Sequence, residues 1–163
     1  VPSSMMSTIS ALVAQNIGAG KHDRAKLTLK YVLMITVTYG LIMTIIVQFV
    51  SIPLVGLFTN DGAVAVSGAG YLRSYASDCI FAGIHFCLSG YFYAYGLSVI
   101  SFIHNSISIV CARIPLSYYA SVHFKDTLFP MVCAAPAGSL ISVIICVGVF
   151  IWLEHHEDKY QNI

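Results

Sequence analysis

The sequence predicts an all-α fold, a polytopic bundle of transmembrane helices, and three observations carry that reading. First, residues 31–60, 79–112 and 127–153 contain no Asp, Glu, Lys or Arg. A hydrocarbon core about 30 Å thick takes roughly 20 apolar helical residues rising about 1.5 Å each, and every one of these runs reaches that length. Second, 58% of the 163 residues are hydrophobic and 9% charged, with a mean hydropathy of +0.82; soluble domains carry about a quarter charged residues. Third, the apolar runs show no period-two alternation. Lipid offers no hydrogen bond to a bare amide, so spanning segments are helices or closed barrels, and the pattern excludes the barrel.

Taken in order, the pattern gives about four full spanning helices plus the end of a fifth. Helix A, residues 1–17, is free of charge and rich in Ser and Thr, as at contacts between packed membrane helices. Glycines then end it, and Lys21, His22, Asp23, Arg24 and Lys26 make a short polar loop. Helix B, residues 27–50, stops before Ser51-Ile52-Pro53, and Thr59-Asn60-Asp61-Gly62 supplies turn residues. Helix C, residues 67–93, carries Arg73 and Asp78 in its first half. A tight break around Tyr95-Gly96-Leu97-Ser98 leads to helix D, residues 99–121. Lys125-Asp126 marks the next loop. Helix E, residues 128–153, holds Pro136 more than a turn inside, where it is expected to kink the helix. Residues 1–153 form one helical unit and residues 154–163 an exposed polar tail.

A formal charge of +1 speaks against nucleic acid and acidic partners, so the placement of charge matters more than its sum. Lys21, Arg24, Lys26 and Lys30 flank the A/B loop, whereas no Lys or Arg precedes Arg73 in the B/C loop. The positive-inside rule puts the A/B loop in the cytoplasm, and alternation puts the tail there too. Lys125 alone opposes the pattern. Cys79, Cys87, Cys111, Cys133 and Cys146 lie in apolar runs without a CxxC pair and read as small buried hydrophobes. Val1-Pro2 is not an initiator methionine, and the stretch to Gly20 lacks a signal peptide's charged front end, so the chain is expected to begin inside a longer protein.

Gly18-Ala19-Gly20-Lys21 invites a phosphate-loop reading, but Gln15 stands where the first glycine is required and His22 replaces the Ser or Thr. The longer string, Gln15-Asn16-x-Gly18-Ala19-Gly20-Lys21-x-x-Arg24-Ala25, resembles the cytoplasmic signature after the second helix of each lobe in multidrug and toxic compound extrusion (MATE) transporters. Phe58-Thr59-Asn60-Asp61 with Gly70-Tyr71-Leu72-Arg73 is similar to that family's outer loop leading into the fourth helix of a lobe. Ser89-Gly90 with Gly96 resembles the end of that helix, and Ile114-Pro115-Leu116 with Tyr118 resembles the fifth. The resemblance is to the carboxy-terminal lobe, which implies that helices A to E are the eighth to twelfth of a twelve-helix, two-lobe exporter. It further implies a multi-pass plasma-membrane protein, not an enzyme, that exchanges cationic amphipathic organic compounds for Na+ or H+ beside a missing amino-terminal lobe.

Within the spanning segments, Asp78 is the sharpest candidate: a carboxylate there costs about 2.5 to 3.5 kcal/mol on insertion scales and faces a cavity or a partner. The opposing reading is an interfacial carboxylate paired with Arg73 or solvated by headgroups. Asp78, Ala82, His85 and Ser89 fall at i, i+4, i+7 and i+11, one polar stripe of helix C suited to cation coupling. The resemblance places Ala82 where several relatives have an acidic residue. His85 and His104 are candidate relays or substrate contacts, with hydrogen-bonded packing the more ordinary role. Arg113 either senses a carboxylate such as Asp78 or, as favoured from sequence, snorkels to the outer interface. Tyr91, Phe92, Tyr93 and Tyr95 read as an interfacial aromatic belt, against a cation-π lining for drugs.

Beyond Na+ or H+ as the coupling ion, no catalytic residue, metal site or cofactor is expected. Two other functions compete with transport. One is a membrane assembly or packing subunit without transport activity. The other, weaker, is a haem-binding membrane redox protein using His85 and His104 as axial ligands.

Overall fold

The computed structural model describes residues 2–123 and 132–155. Six α-helical segments follow one another: α1 (Pro2–Gly18), α2 (His22–Gly56), α3 (Gly62–Ala94), α4 (Ser98–Ile107), α5 (Ile114–His123) and α6 (Ala134–His155). A π-helical turn, Ser108–Arg113, joins α4 to α5, so these form one continuous rod. Among the described residues there is no strand, and α2, the α4–α5 rod and α6 are each long and apolar enough to cross a bilayer.

α3 occupies the centre. It packs against α1 and α2 on one side and against α4 and α6 on the other, and the π turn and α5 pack on α6. Three of its contacts are close because glycine permits them. A Cβ on Gly90 would meet the Met6 carbonyl oxygen at 2.5 Å as well as the Ile9 side chain. One on Gly83 would sit 2.5 Å from Thr36, and Gly40 faces Ile80 in the same way. Without a hydrophobic force between helices in lipid, such small-residue contacts let backbones approach and gain dispersion energy. Hydroxyls add to them: Thr44 Oγ1 shares its one proton between the Gly40 and Ala76 carbonyls, at 2.8 and 3.0 Å. The opposite face of α2, with Tyr31, Met34, Ile35, Ile42, Ile45 and Phe49 exposed, has the composition of a lipid-facing surface.

The helices run further than the sequence patterns suggested. α2 starts at His22, five residues early, because Asp23 in its first turn suits the positive end of the helix dipole. It continues through Pro53 to Gly56; the proline costs the single bond that an amide there would make to the Phe49 carbonyl, and the helix ends within a turn of it. α3 starts at Gly62 because the Asp61 carboxylate caps it, accepting from the Ala63 and Val64 amides at 2.9 and 3.5 Å. Pro136 lies in the first turn of α6, where proline is tolerated, and not more than a turn inside. The expected Lys125-Asp126 loop, the start of helix E at 128 and the tail from residue 156 lie outside the described residues.

The two turns expected on one side share a geometry. Gly20, at φ +69°, lets its own amide bond to the Ile17 carbonyl and that of Lys21 to Asn16. Gly96, at φ +73°, does the same, with its amide on Tyr93 and that of Leu97 on Phe92. Both are Schellman caps, which need the left-handed conformation that glycine adopts without strain. At this end Lys26 pairs with Glu154 at 3.7 Å, and His22 Nδ1 hydrogen-bonds the Tyr95 hydroxyl at 3.3 Å.

Candidate functional site

A polar seam runs between α3, the α4–α5 rod and α6. It begins at Asp78, in the middle of α3, whose side chain is 5% exposed. Its partner is Arg113, with Nη2 3.7 Å from Oδ2, and not Arg73, whose Nε donates to the buried Ser51 hydroxyl at 2.7 Å. Arg113 therefore points inward, which corrects the favoured expectation of snorkelling. The reason is local. Pro115 lacks an amide proton and crowds the preceding turn, which opens into the π turn Ser108–Arg113, with the Ile114 amide reaching back to the Ile109 carbonyl. Gly138 on α6 gives the arginine room, since a Cβ there would meet Arg113 Cγ at 2.5 Å. Ser108 Oγ locks the approach by donating to the Gly138 carbonyl at 2.6 Å, and Arg113 Nη2 donates to Ser139 Oγ at 2.8 Å.

The other end of the seam is built on histidine. Ser89 Oγ donates its one proton to the His85 carbonyl at 2.8 Å, so its oxygen accepts from His104 Nε2 at 2.9 Å. That leaves His104 Nδ1 to accept from Ser142 Oγ at 3.4 Å. The His85 and His104 rings meet edge to face, centroids 5.9 Å apart. Asp78, His85, Ser89, His104, Ser108, Ser139 and Ser142 are all buried. Three buried atoms have no hydrogen-bond partner among the described residues: Asp78 Oδ1, His85 Nδ1 and Arg113 Nε. Unpaired buried polar atoms are costly, which makes these three groups candidates for a functional role.

Of the polar stripe read from sequence, Asp78, His85 and Ser89 face this seam while Ala82 is only half-buried. Sequence reasoning did not single out Ser108, Ser139 or Ser142. A signal existed: Gly138, Ser139 and Ser142 form the small, hydroxyl-bearing face of an otherwise apolar α6, and Ser101, His104 and Ser108 lie at i, i+3 and i+7. The aromatic belt also needs correction. Phe92 is fully buried and Tyr91 packs edge to face on Phe150 at 5.5 Å, so both belong to the core, and only Tyr93 is exposed. Cys87 and Cys146 are buried as expected, but Cys79 is only half-buried and Cys111, in the π turn, and Cys133, just before α6, are exposed. Among the signature residues, Asn16 Nδ2 donates to the Leu12 carbonyl at 2.8 Å and reaches Thr28 at 3.5 Å, tying α1 to α2. Gln15, Gly18, Gly20 and Arg24 are exposed around the same turn.

Long apolar helices around a central helix that buries a carboxylate, two histidines and a row of hydroxyls define a polytopic α-helical membrane protein. The family model of MatE matches residues 1–119, and the chain belongs to that family of transporters. Neither a curated protein nor a solved structure matches it.

Proposed function

We propose that the chain forms most of the carboxy-terminal lobe of a secondary active multidrug exporter, which exchanges cationic amphipathic organic compounds for Na+ or H+ by alternating access. The observation that carries this reading is Asp78: a carboxylate at mid-helix, nearly fully enclosed, with one oxygen unpartnered and only an ionic contact on the other. A group that exchanges a cation needs both features, burial to make the charge expensive and an unused oxygen to receive the ion. In this reading the amino-terminal lobe completes the cavity and the lobes rock about a midplane site. The four cationic residues around the α1–α2 turn support a cytoplasmic position for that turn, and by alternation for the carboxy-terminal tail, in what we read as a plasma-membrane protein.

The competing readings have less support. Both His104 nitrogens are engaged by serine hydroxyls, which leaves neither for an axial bond to haem iron. An assembly subunit gains nothing from a buried carboxylate with an unsatisfied oxygen. The test is ethidium efflux from vesicles containing the complete transporter, with Na+ and H+ gradients imposed separately. Efflux driven by either gradient and lost in Asp78→Asn supports the reading and names the ion. Undiminished efflux in Asp78→Asn at normal expression refutes the role of Asp78.

A further inference from the structure

We infer that Arg113 is a tethered cation that competes with the transported ion for Asp78, so that it sets the ion concentration at which the exporter runs. The inference rests on the coupling role of Asp78 proposed above. A buried pair kept for stability has bidentate N–H···O contacts, because only full hydrogen bonding repays the desolvation of both charges. The Asp78–Arg113 contact is not of that kind. At 3.7 Å it lies beyond hydrogen-bond reach, and Asp78 Oδ1 and Arg113 Nε are both buried without a partner. The close contact of the guanidinium is with the neutral Ser139 hydroxyl, at 2.8 Å. Arg113 is thus anchored beside the carboxylate and neutralises it, while leaving one oxygen for another cation.

The rod that presents Arg113 can move it. The π turn holds one residue more per turn than an α-helix, and such turns are uncommon and concentrate at functional sites. Closing it to α geometry rotates the helix on one side of it by about one residue, roughly 100°. That swing carries Arg113 off Asp78. The other groups around the pair do not supply a rival positive charge in the same place: Arg73 is turned to Ser51, Ser139 and Ser142 are neutral, and His85 and His104 lie further along the seam.

The experiment uses the complete transporter in vesicles and measures ethidium efflux against the concentration of whichever ion, Na+ or H+, drives it. Arg113→Gln removes the competitor and is expected to lower the half-saturating ion concentration by about fivefold or more, the lower end of ordinary coupling between sites. Arg113→Lys keeps the charge and is expected to stay near the parent value. A readout without turnover accompanies these: binding of radiolabelled Na+ in detergent or, for an H+-driven protein, proton release on adding ethidium. Well-folded Arg113→Gln with unchanged ion dependence in both readouts overturns the inference, as does Arg113→Lys shifting as far as Arg113→Gln. Asp78→Asn separates the layers. If it transports normally, the coupling role of Asp78 fails and this inference with it; if it is inactive while Arg113→Gln leaves ion dependence unmoved, only the competition is wrong.

Discussion

Removing the two ends of the Asp78–Arg113 pair should destabilise the protein unequally, because they differ in burial. The Asp78 side chain is 5% exposed and that of Arg113 38%. Arg113→Gln strands an almost fully enclosed carboxylate, and because the pair lacks a hydrogen bond and the arginine is partly exposed the loss is about 3 kcal/mol, the low end of the range for a broken buried pair. Asp78→Asn nearly preserves the shape of the carboxylate and leaves an arginine whose side chain is partly exposed and still donates to Ser139. That loss is nearer to the exposed-pair range of about 0.2–1 kcal/mol. The expected gap is therefore roughly 2 kcal/mol or more, with Arg113→Gln the worse. The double variant should fall near Asp78→Asn, since it no longer contains the stranded carboxylate. SDS titration of the complete transporter in mixed micelles, followed by circular dichroism, gives the three differences. Asp78→Asn matching or exceeding Arg113→Gln would refute the argument from burial.

Gly90→Ala should destabilise the fold by about 1–3 kcal/mol, since the new methyl meets a backbone carbonyl of α1 that cannot rotate away, while Gly70→Ala, which meets nothing, should be neutral or gain up to about 1 kcal/mol of helix propensity. The same SDS titration distinguishes them. Gly20→Ala forces a Cβ into the left-handed cap and should lose about 1–2 kcal/mol by that titration, although the space around it is open. A membrane-permeant maleimide should modify Cys111 and Cys133 in the folded protein much faster than Cys87 and Cys146; equal rates would contradict the packing of α3 and α6.

Much of the fold could be read from the chain because the bilayer imposes it: a run without charge that is long enough to span has to be a helix, and the turn at Gly96 follows from two glycines, Gly90 and Gly96, among aromatics. What could not be read depends on contacts between distant residues. The inward turn of Arg113 depends on Gly138 being opposite it, twenty-five positions later, and the proline at 115 signals a disturbed helix without saying that the preceding turn widens. Tyr91 and Phe92 have the composition of an interfacial belt, and only the position of α1 and α6 around α3 places them inside. The polar stripe of α3 was visible in its i, i+4, i+7, i+11 spacing, but its hydroxyl counterparts on α6 were hidden because single serines in an apolar helix are unremarkable until a partner faces them.

The distribution of polarity across the bundle also fixes what α3 depends on. α2 and α6 have the highest hydropathy of the three long apolar helices, and α2 turns a broad face of large side chains outward, whereas α3 has polar groups along the stripe that its neighbours cover. Alone in a bilayer, α3 would expose Asp78, His85 and Ser89 to hydrocarbon, where a carboxylate by itself costs about 2.5 to 3.5 kcal/mol. Its place at the centre of the bundle is therefore stabilised by α4 and α6, through Ser89–His104, His104–Ser142 and the Arg113 contacts. The residues proposed to couple the ion are then the same ones that hold the central helix among its neighbours. If Asp78 exchanges cations as proposed, the exchange alters the force between α3 and the α4–α5 rod directly, and needs no separate relay to be felt as a movement between helices.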